Sequence, residues 1–259
     1  MPGQDAVLLA HPVDPIRIVP LHLPDELAAP AAGPPAAPAL TYRGGPLLAA
    51  VKVFTVFWGA EWAQAPLAGL IDQINGFFDF VLTSALIDQL AEYSVANYQI
   101  GHSSRIGSAT VTSPALRRVA PDGAIQHLLR QEITTNSAFP QPDANTLFFV
   151  YLQPGVVAVQ GGSRSCSSFC GYHSNVGAIF YAVMPYPGCS GCTGSLQPFD
   201  ALTSTSSHEL AEAITDAIPG QGWYDDQNGE IGDICAWQTK KLGNYAVQLL
   251  WSNQAGKCA

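Results

Sequence analysis

From Ser206 to Asp216 the chain runs SSHELAEAITD, which contains His208-Glu209-x-x-Glu212. On a helix, positions 208 and 212 lie one turn apart on the same face, so an imidazole nitrogen and a carboxylate oxygen can reach one cation. Glu209 points in a neighbouring direction and is placed to take a proton from a metal-held water, the part played by the glutamate of the H-E-x-x-H zinc pattern. A third ligand is required. The segment Gly222 to Asp233 (GWYDDQNGEIGD) offers Glu230 and Asp233, three residues apart. If that stretch turns helical, both carboxyls face the first helix, one as ligand and the other accepting the free N–H of His208. Charged residues make up only 12% of the chain. His208, Glu209, Glu212, Glu230 and Asp233 therefore stand among apolar or small neighbours, where carboxylates without cations repel one another and a bound divalent ion removes the difficulty. Zinc is the expected ion, with calcium the alternative as a structural one.

Two further side chains could serve such a site. His173, in Cys170-Gly-Tyr-His173, is a candidate ligand or donor to a developing oxyanion, against the plainer reading of a histidine that satisfies loop backbone. Tyr224 is a candidate oxyanion donor, against the plainer reading that a Trp-Tyr pair beside a helix end is packing. Asp225, Asp226, Asn228 and Glu230 make an acidic loop of calcium-binding type without the spacing of an EF-hand. His102 and His127 have no acidic or cysteine partners nearby in sequence and read as surface or core residues. Neither a G-x-S-x-G elbow nor a Walker-type phosphate loop is present.

Elements that would position these residues follow from hydrophobic patterning. Val51 to Trp58 (VKVFTVFW) is β-branched and aromatic and predicts a strand. Leu67, Leu70, Ile71, Ile74 and Phe78 recur at helical spacing within a mostly helical region from Pro66 to Tyr93. Ile106 to Thr112 alternates as a strand does, and Gly123 to Thr134 reads as an amphipathic helix. Thr146 to Leu152, Val156 to Val159 and Ile179 to Pro185 are short apolar strands. Ser204 to Ala217 is the helix that carries the motif, and Tyr245 to Trp251 a late strand. Helices interleaved with short strands, without internal repeats, predict an α/β or α+β class. The Pro/Ala-rich tract Pro24 to Ala39 has no periodic apolar face and reads as a linker or poorly ordered leader, so that residues 1–39 precede a single domain at 40–259.

A chain of 259 residues that is 47% hydrophobic can bury one sizeable core. Its net charge of −9, with Arg117-Arg118 and Lys240-Lys241 as the paired cations, argues against nucleic acid as a partner. No apolar run reaches the roughly 18 residues that span a bilayer. The six cysteines, Cys166, Cys170, Cys189, Cys192, Cys235 and Cys258, fit either the disulfides of an exported protein or, for the first four, a structural zinc site. As disulfides, the expected pairs are Cys166–Cys170, Cys189–Cys192 and Cys235–Cys258. Low charge and Ser/Gly-rich loops agree with export, although Met1 to Leu23 lacks the basic start and unbroken apolar stretch of a signal peptide.

HELAEAITD followed by NGEIGDIC resembles the thermolysin-type gluzincins, whose helix reads HELTHAVTD and whose third ligand is a Glu a couple of dozen residues on, with an Asp just beyond. Glu230 stands 22 residues after His208, and Glu212 replaces the second histidine, which makes the site harder and more anionic. More of the chain is similar to the EXORDIUM or phosphate-induced protein family and its bacterial relatives. The similar stretches are Leu40 to Trp58, Ser165 to Asn175, Tyr181 to Cys192, Ser207 to Asp216, Gly222 to Cys235 and Trp251 to Cys258. These resemblances imply a zincin-like domain with a mixed sheet, a metal-site helix and disulfide-stapled loops, exported from the cell. The first resemblance implies a zinc hydrolase acting on peptide or protein substrates, with His208, Glu212 and Glu230 as ligands, Glu209 as general base and Asp233 beside them or in place of Glu230; the second supports the metal site and export more than proteolysis, and a monomer is expected. The rival expectation is an extracellular binding or signalling protein in which the same cluster holds a structural ion.

Overall fold

The computed structural model describes residues 18–20 and 37–259. Of the segment 1–39 read as a leader, Ile18–Pro20 forms strand β1, and residues 1–17 and 21–36 lie outside the described residues. The chain continues through β2 (Thr41–Tyr42), β3 (Lys52–Trp58), α1 (Leu67–Val81), α2 (Ala85–Leu90), β4 (Ser104–Val111), β5 (Val119–Pro121), α3 (Asp122–Thr135) and β6 (Thr146–Leu152). It then forms β7 (Val157–Gln160), β8 (Ser163–Arg164), β9 (Phe169–Val176), β10 (Ile179–Met184), α4 (Ser190–Thr193) and α5 (Pro198–Thr215). The final elements are β11 (Trp223–Tyr224), a 3-10 turn at Asp233–Cys235, β12 (Thr239–Leu242), β13 (Tyr245–Gln248), β14 (Trp251–Ser252) and β15 (Lys257–Cys258).

The main sheet has the order β1-β9-β10-β6-β3-β4. β10, β6, β3 and β4 run parallel, whereas β9 and β1 add antiparallel strands at one side. Every residue of β6 is buried, as a central parallel strand covered on both faces requires. Its alternation assigns Leu147, Phe149 and Tyr151 to one core, and Phe148, Val150 and Leu152 to the other. The first core packs against α1, α2 and α5 and the second against α3, giving helices on both faces of a mixed α/β sheet.

The mostly helical region expected from Pro66 to Tyr93 is present as α1, α2 and a 3-10 turn at Ala91–Tyr93. α1 buries Leu67, Ile74, Phe77, Phe78 and Val81, and the chain turns before Ser84, whose side chain caps α2 by accepting from the Leu86 amide. Among the described residues no single helix is long and apolar enough to cross a membrane.

The cysteines are all disulfide-bonded, as Cys166–Cys189, Cys170–Cys192 and Cys235–Cys258. Two of the three expected pairs are thus corrected. Cys170 lies on β9 and Cys166 on the turn before it, while Cys189 and Cys192 sit at the start of and within the one-turn helix α4 packed alongside, so each β9-side sulfur faces an α4-side one. With every thiol oxidised, the alternative of a four-cysteine zinc site falls away. The third pair ties the 3-10 turn to the last strand.

Candidate metal centre

The expected helix over 204–217 is the C-terminal two-thirds of α5, which begins with Pro198 at its first turn. Every residue from Ala201 to Thr215 is buried, because the sheet strands β9 and β10 cover one side and β13 another. The polar stretch Thr203 to Ser207 is a poor helix former, yet its small side chains permit close approach and bond back to the helix. Ser207 Oγ donates to Ser204 O, and Thr203 Oγ1 to Asp200 O. Ser206 Oγ meets Tyr151 OH across the sheet at 2.7 Å. The approach to β9 is tightest at Gly171, where a Cβ would lie 2.7 Å from Thr205 Cγ2 and 3.2 Å from Glu209 Oε1.

Four parts of the fold bring their side chains to one place. α5 supplies His208, Glu209 and Glu212; β9 supplies His173; the loop after β11 and its 3-10 turn supply Glu230 and Asp233; β13 supplies Gln248. His173, His208, Glu209, Glu212 and Glu230 are each 0% exposed. Glu230 and Asp233 do not share a helix as their spacing suggested. Glu230 precedes the turn and Asp233 opens it, with Asp233 Oδ2 accepting from the Glu230 amide at 3.0 Å.

His208 Nε2 lies 2.8 Å from Glu212 Oε1 and 3.8 Å from Asp233 Oδ1. Its other nitrogen, Nδ1, is 3.0 Å from Gln248 Oε1. The Gln248 amide nitrogen donates to Gly232 O at 2.8 Å, which leaves its oxygen to face His208. An amide oxygen only accepts, so Nδ1 carries the hydrogen and the Nε2 lone pair of the neutral ring faces the carboxylates. The group that fixes the His208 tautomer is thus Gln248, not Glu230 or Asp233 as expected. A lone glutamine on a late strand gives no signal in sequence.

His173 occupies the opposite side of Glu212. Its Nε2 is 3.2 Å from the carbonyl oxygen of Asp216, an obligate acceptor, so Nε2 donates there. Nδ1 lies 3.1 Å from Glu209 Oε2 and 3.5 Å from Glu212 Oε2, and Nε2 is also 3.5 Å from Glu230 Oε1. The candidate histidine of the cysteine motif therefore belongs to the cluster, carried there by a strand that patterning missed. Asp216, at the end of α5, accepts from the amides of Gly220, Gln221 and Gly222 and orients the loop that returns to Glu230. Tyr224 is placed in the two-strand ladder of β11 with β2, its ring beneath the Arg43 guanidinium at 4.5 Å. Asp225 accepts from the amides of Ala39, Gln227 and Asn228, which makes that acidic loop a backbone-satisfied turn.

Seven buried polar atoms of the cluster have no hydrogen-bond partner: His208 Nε2, Glu209 Oε1, both Glu212 oxygens, both Glu230 oxygens and Asp233 Oδ1. Among the described residues the only other such side-chain atom is Trp62 Nε1. His208 Nε2 approaches Glu212 Oε1 to 2.8 Å, within ion-pair range but without the geometry of a hydrogen bond. Two overlapping sets of atoms that could hold a cation, from His208/Glu209/Glu212 and His173/Glu212/Glu230, each lie within 4.8 Å of one another. The residues present fit a divalent cation, with Glu212 at the centre of both sets.

The protons tell the same story. Burial drives both imidazoles towards neutrality, but the carboxylates outweigh it: Glu209 and Glu212 raise His173, and Glu212 chiefly raises His208, each to about 10. Burial likewise drives Glu212 up, and the two imidazoles overcome it and hold that carboxyl at about 2. Burial and then the Glu212 charge push Glu230 and Asp233 well above the ordinary range; Glu209 is raised as well, by burial first. Without a cation, then, the cluster can avoid mutual repulsion only by taking up protons. Compared with known proteins, the chain matches no family model, and no curated protein matches it.

Proposed function

We propose that this protein is a zinc-dependent hydrolase of peptidase type, exported from the cell. The observation that carries the reading is the convergence of seven unpartnered, buried donor atoms on one helix turn and the loop behind it. His208 Nε2 and Glu212 Oε1 would be the first ligands, with Asp233 Oδ1 on the His208 side and Glu230 on the His173 side to complete the set. A divalent cation held there would supply Lewis acidity towards an acyl carbonyl and its attacking water. Glu209, one position beyond His208, has an unpartnered Oε1, while His173 holds its Oε2 in place; it would accept the proton and deliver it to the leaving amine. A largely parallel sheet with antiparallel pairings at one side, followed after the short helix α4 by the helix with the motif, agrees with a zincin-like domain. Three disulfides agree with an oxidising compartment.

One observation favours a second reading. A catalytic site keeps a coordination position open, and here the ligands are fully enclosed, as around a structural ion of an extracellular binding or signalling protein. Elemental analysis of the wild type beside His208→Ala and Glu209→Gln, with a peptide-library assay on each, separates the two. About one zinc per chain, lost from His208→Ala, retained in Glu209→Gln and accompanied by turnover in the wild type alone, supports the hydrolase. Bound metal with no turnover in any variant leaves the structural-ion reading, and absence of metal from the wild type removes both.

A further inference from the structure

A concavity lies on the face of the main sheet away from α5, at the carboxyl ends of β3 and β4. These neighbouring parallel strands send the chain in opposite directions. After Trp58, the last residue of β3, it passes to α1 and the first core; after Val111, the last of β4, it passes to β5, α3 and the second core. Connections that part in this way leave a crevice between them, the place where open parallel sheets take their ligands. Here the crevice is a cavity of about 310 Å³ lined by Trp58, Leu116, Val119 and Leu128, with Arg117 and His127 also facing it. That volume lies at the lower end of the range for small-molecule sites, about 300–1,000 Å³.

The apolar and polar parts of the crevice are sharply divided. Trp58 and Leu128 are buried members of the second core, and Trp58 Nε1 donates to Pro114 O at 3.0 Å. Beyond that bonded N–H, only Arg117 and His127 bring polar side-chain atoms to the lining. Val119 is 40% exposed, one of three large apolar residues so open to solvent among the described residues. Arg43, Lys52, Arg105 and Lys241 each pair with an aspartate, but Arg117 is exposed and makes no ion pair among the described residues. Asp122, the acid closest to it in sequence, has its carboxylate turned to the hydroxyls of Tyr172 and Tyr181 and to the Gln126 amide.

We infer that this crevice binds a small organic acid with an apolar body. The aryl or alkyl part lies against Trp58, Leu116, Val119 and Leu128, and the carboxylate meets Arg117, whose planar guanidinium can offer it two parallel N–H groups. His127 adds a ring N–H at the same mouth. A sugar or a peptide would bring more polar groups than this lining can satisfy, and each one buried without a partner weakens binding. The inference goes beyond the hydrolase reading. The crevice belongs to the second core and α5 to the first, so the acid should be held with or without metal in the cluster.

The test uses the full chain, before and after EDTA treatment, with calorimetry for affinity and backbone amide NMR shifts for location. The probes are phenylacetate and octanoate, each beside its neutral counterpart, phenylethanol and octanol. Arg117→Gln removes the charge from an exposed side chain, and Ala124→Phe fills the crevice from α3. At least one acid should bind saturably, with shifted amides confined to Trp58 and residues 115–128, and with the same affinity after EDTA. Its alcohol should bind about tenfold more weakly, as should the acid to Arg117→Gln, the effect of losing one charge-assisted contact. Ala124→Phe should bind neither. Equal binding of acid and alcohol, wild-type affinity in Arg117→Gln, shifts centred on His208 and Glu212, or no saturable binding of either acid overturns the inference. Acid binding in a chain that turns over no peptide keeps the crevice and sinks the hydrolase, whereas turnover without acid binding does the reverse.

Discussion

Gln248 shows how much a single neutral side chain can decide. Its amide is oriented by Gly232 O, and it in turn obliges His208 to present Nε2 to the carboxylates. Gln248→Leu should therefore lower zinc affinity by about ten- to a hundredfold, the usual effect of losing the group behind a histidine ligand. Gln248→Glu, which keeps an acceptor at the same place, should lose less. Competition against a chromophoric chelator reads both, and equal losses would remove the tautomer argument. Titration gives a second expectation at this scale. Both imidazoles sit at about 10 in the metal-free fold against 6.5 for a free histidine. Their contribution to metal-free stability is therefore complete below about 6.5 and disappears as pH rises through about 10. A cation at Nε2 must displace the same proton, so zinc should bind more tightly as pH rises across that window. Calorimetry in buffers of different ionisation enthalpy should report net proton release; proton-neutral binding at pH 7 would contradict it.

At the scale of elements, the cluster depends on how closely α5 lies against its neighbours. A Cβ at Gly232 would stand 2.7 Å from the His208 ring and 2.8 Å from Glu212 Oε1, and one at Gly171 would meet Thr205 and Met184. Both Gly171→Ala and Gly232→Ala should destabilise the fold by about 1–3 kcal/mol through overpacking, and Gly232→Ala should also lower metal occupancy, since it displaces two ligands. Thermal unfolding and elemental analysis would check them; Gly232→Ala with wild-type zinc content would show that the turn yields without moving His208. The same packing explains which elements the sequence predicts well. β3 and β6 follow from runs whose apolar content matches their burial, the motif helix follows from its spacing although it buries polar residues from Thr203 to Glu209, and the H-E-x-x-E spacing brings His208 Nε2 and Glu212 Oε1 to 2.8 Å. β9 does not follow, because FCGYHSNV lacks a strand-like apolar pattern: its residues are chosen for a disulfide, for close approach at Gly171 and for His173. The break between α1 and α2 falls at Ser84, whose hydroxyl caps α2, inside a region that apolar periodicity describes only as mostly helical. The pairing of Cys166 with Cys189 depends on where α4 lies against β9, which no sequence spacing encodes.

Taken as a whole, the molecule places its most charged cluster where water does not reach, behind β9 and β1, α5, the hairpin β12–β13 and a turn locked by Cys235–Cys258. Two consequences follow for a bound ion. Because only the folded state assembles the ligands, zinc should raise the unfolding temperature in a concentration-dependent way, by the equivalent of about 2.7 kcal/mol at a hundred times the dissociation constant. Because the four site residues His208, Glu209, Glu212 and Glu230 are each 0% exposed, a chelator cannot attack the ion in place. Removal by EDTA should then follow a local opening of the structure, so its rate should level off as EDTA is increased, at a value set by that opening. The β1 strand gives the opening a location. In Ile18→Pro/Val19→Pro the plateau rate should rise, while His102→Ala, at an exposed contact with Asp88, should leave it unchanged. A loss rate that keeps climbing in proportion to EDTA would mean that the ion is reached directly, and would place the metal elsewhere than in this enclosed cluster.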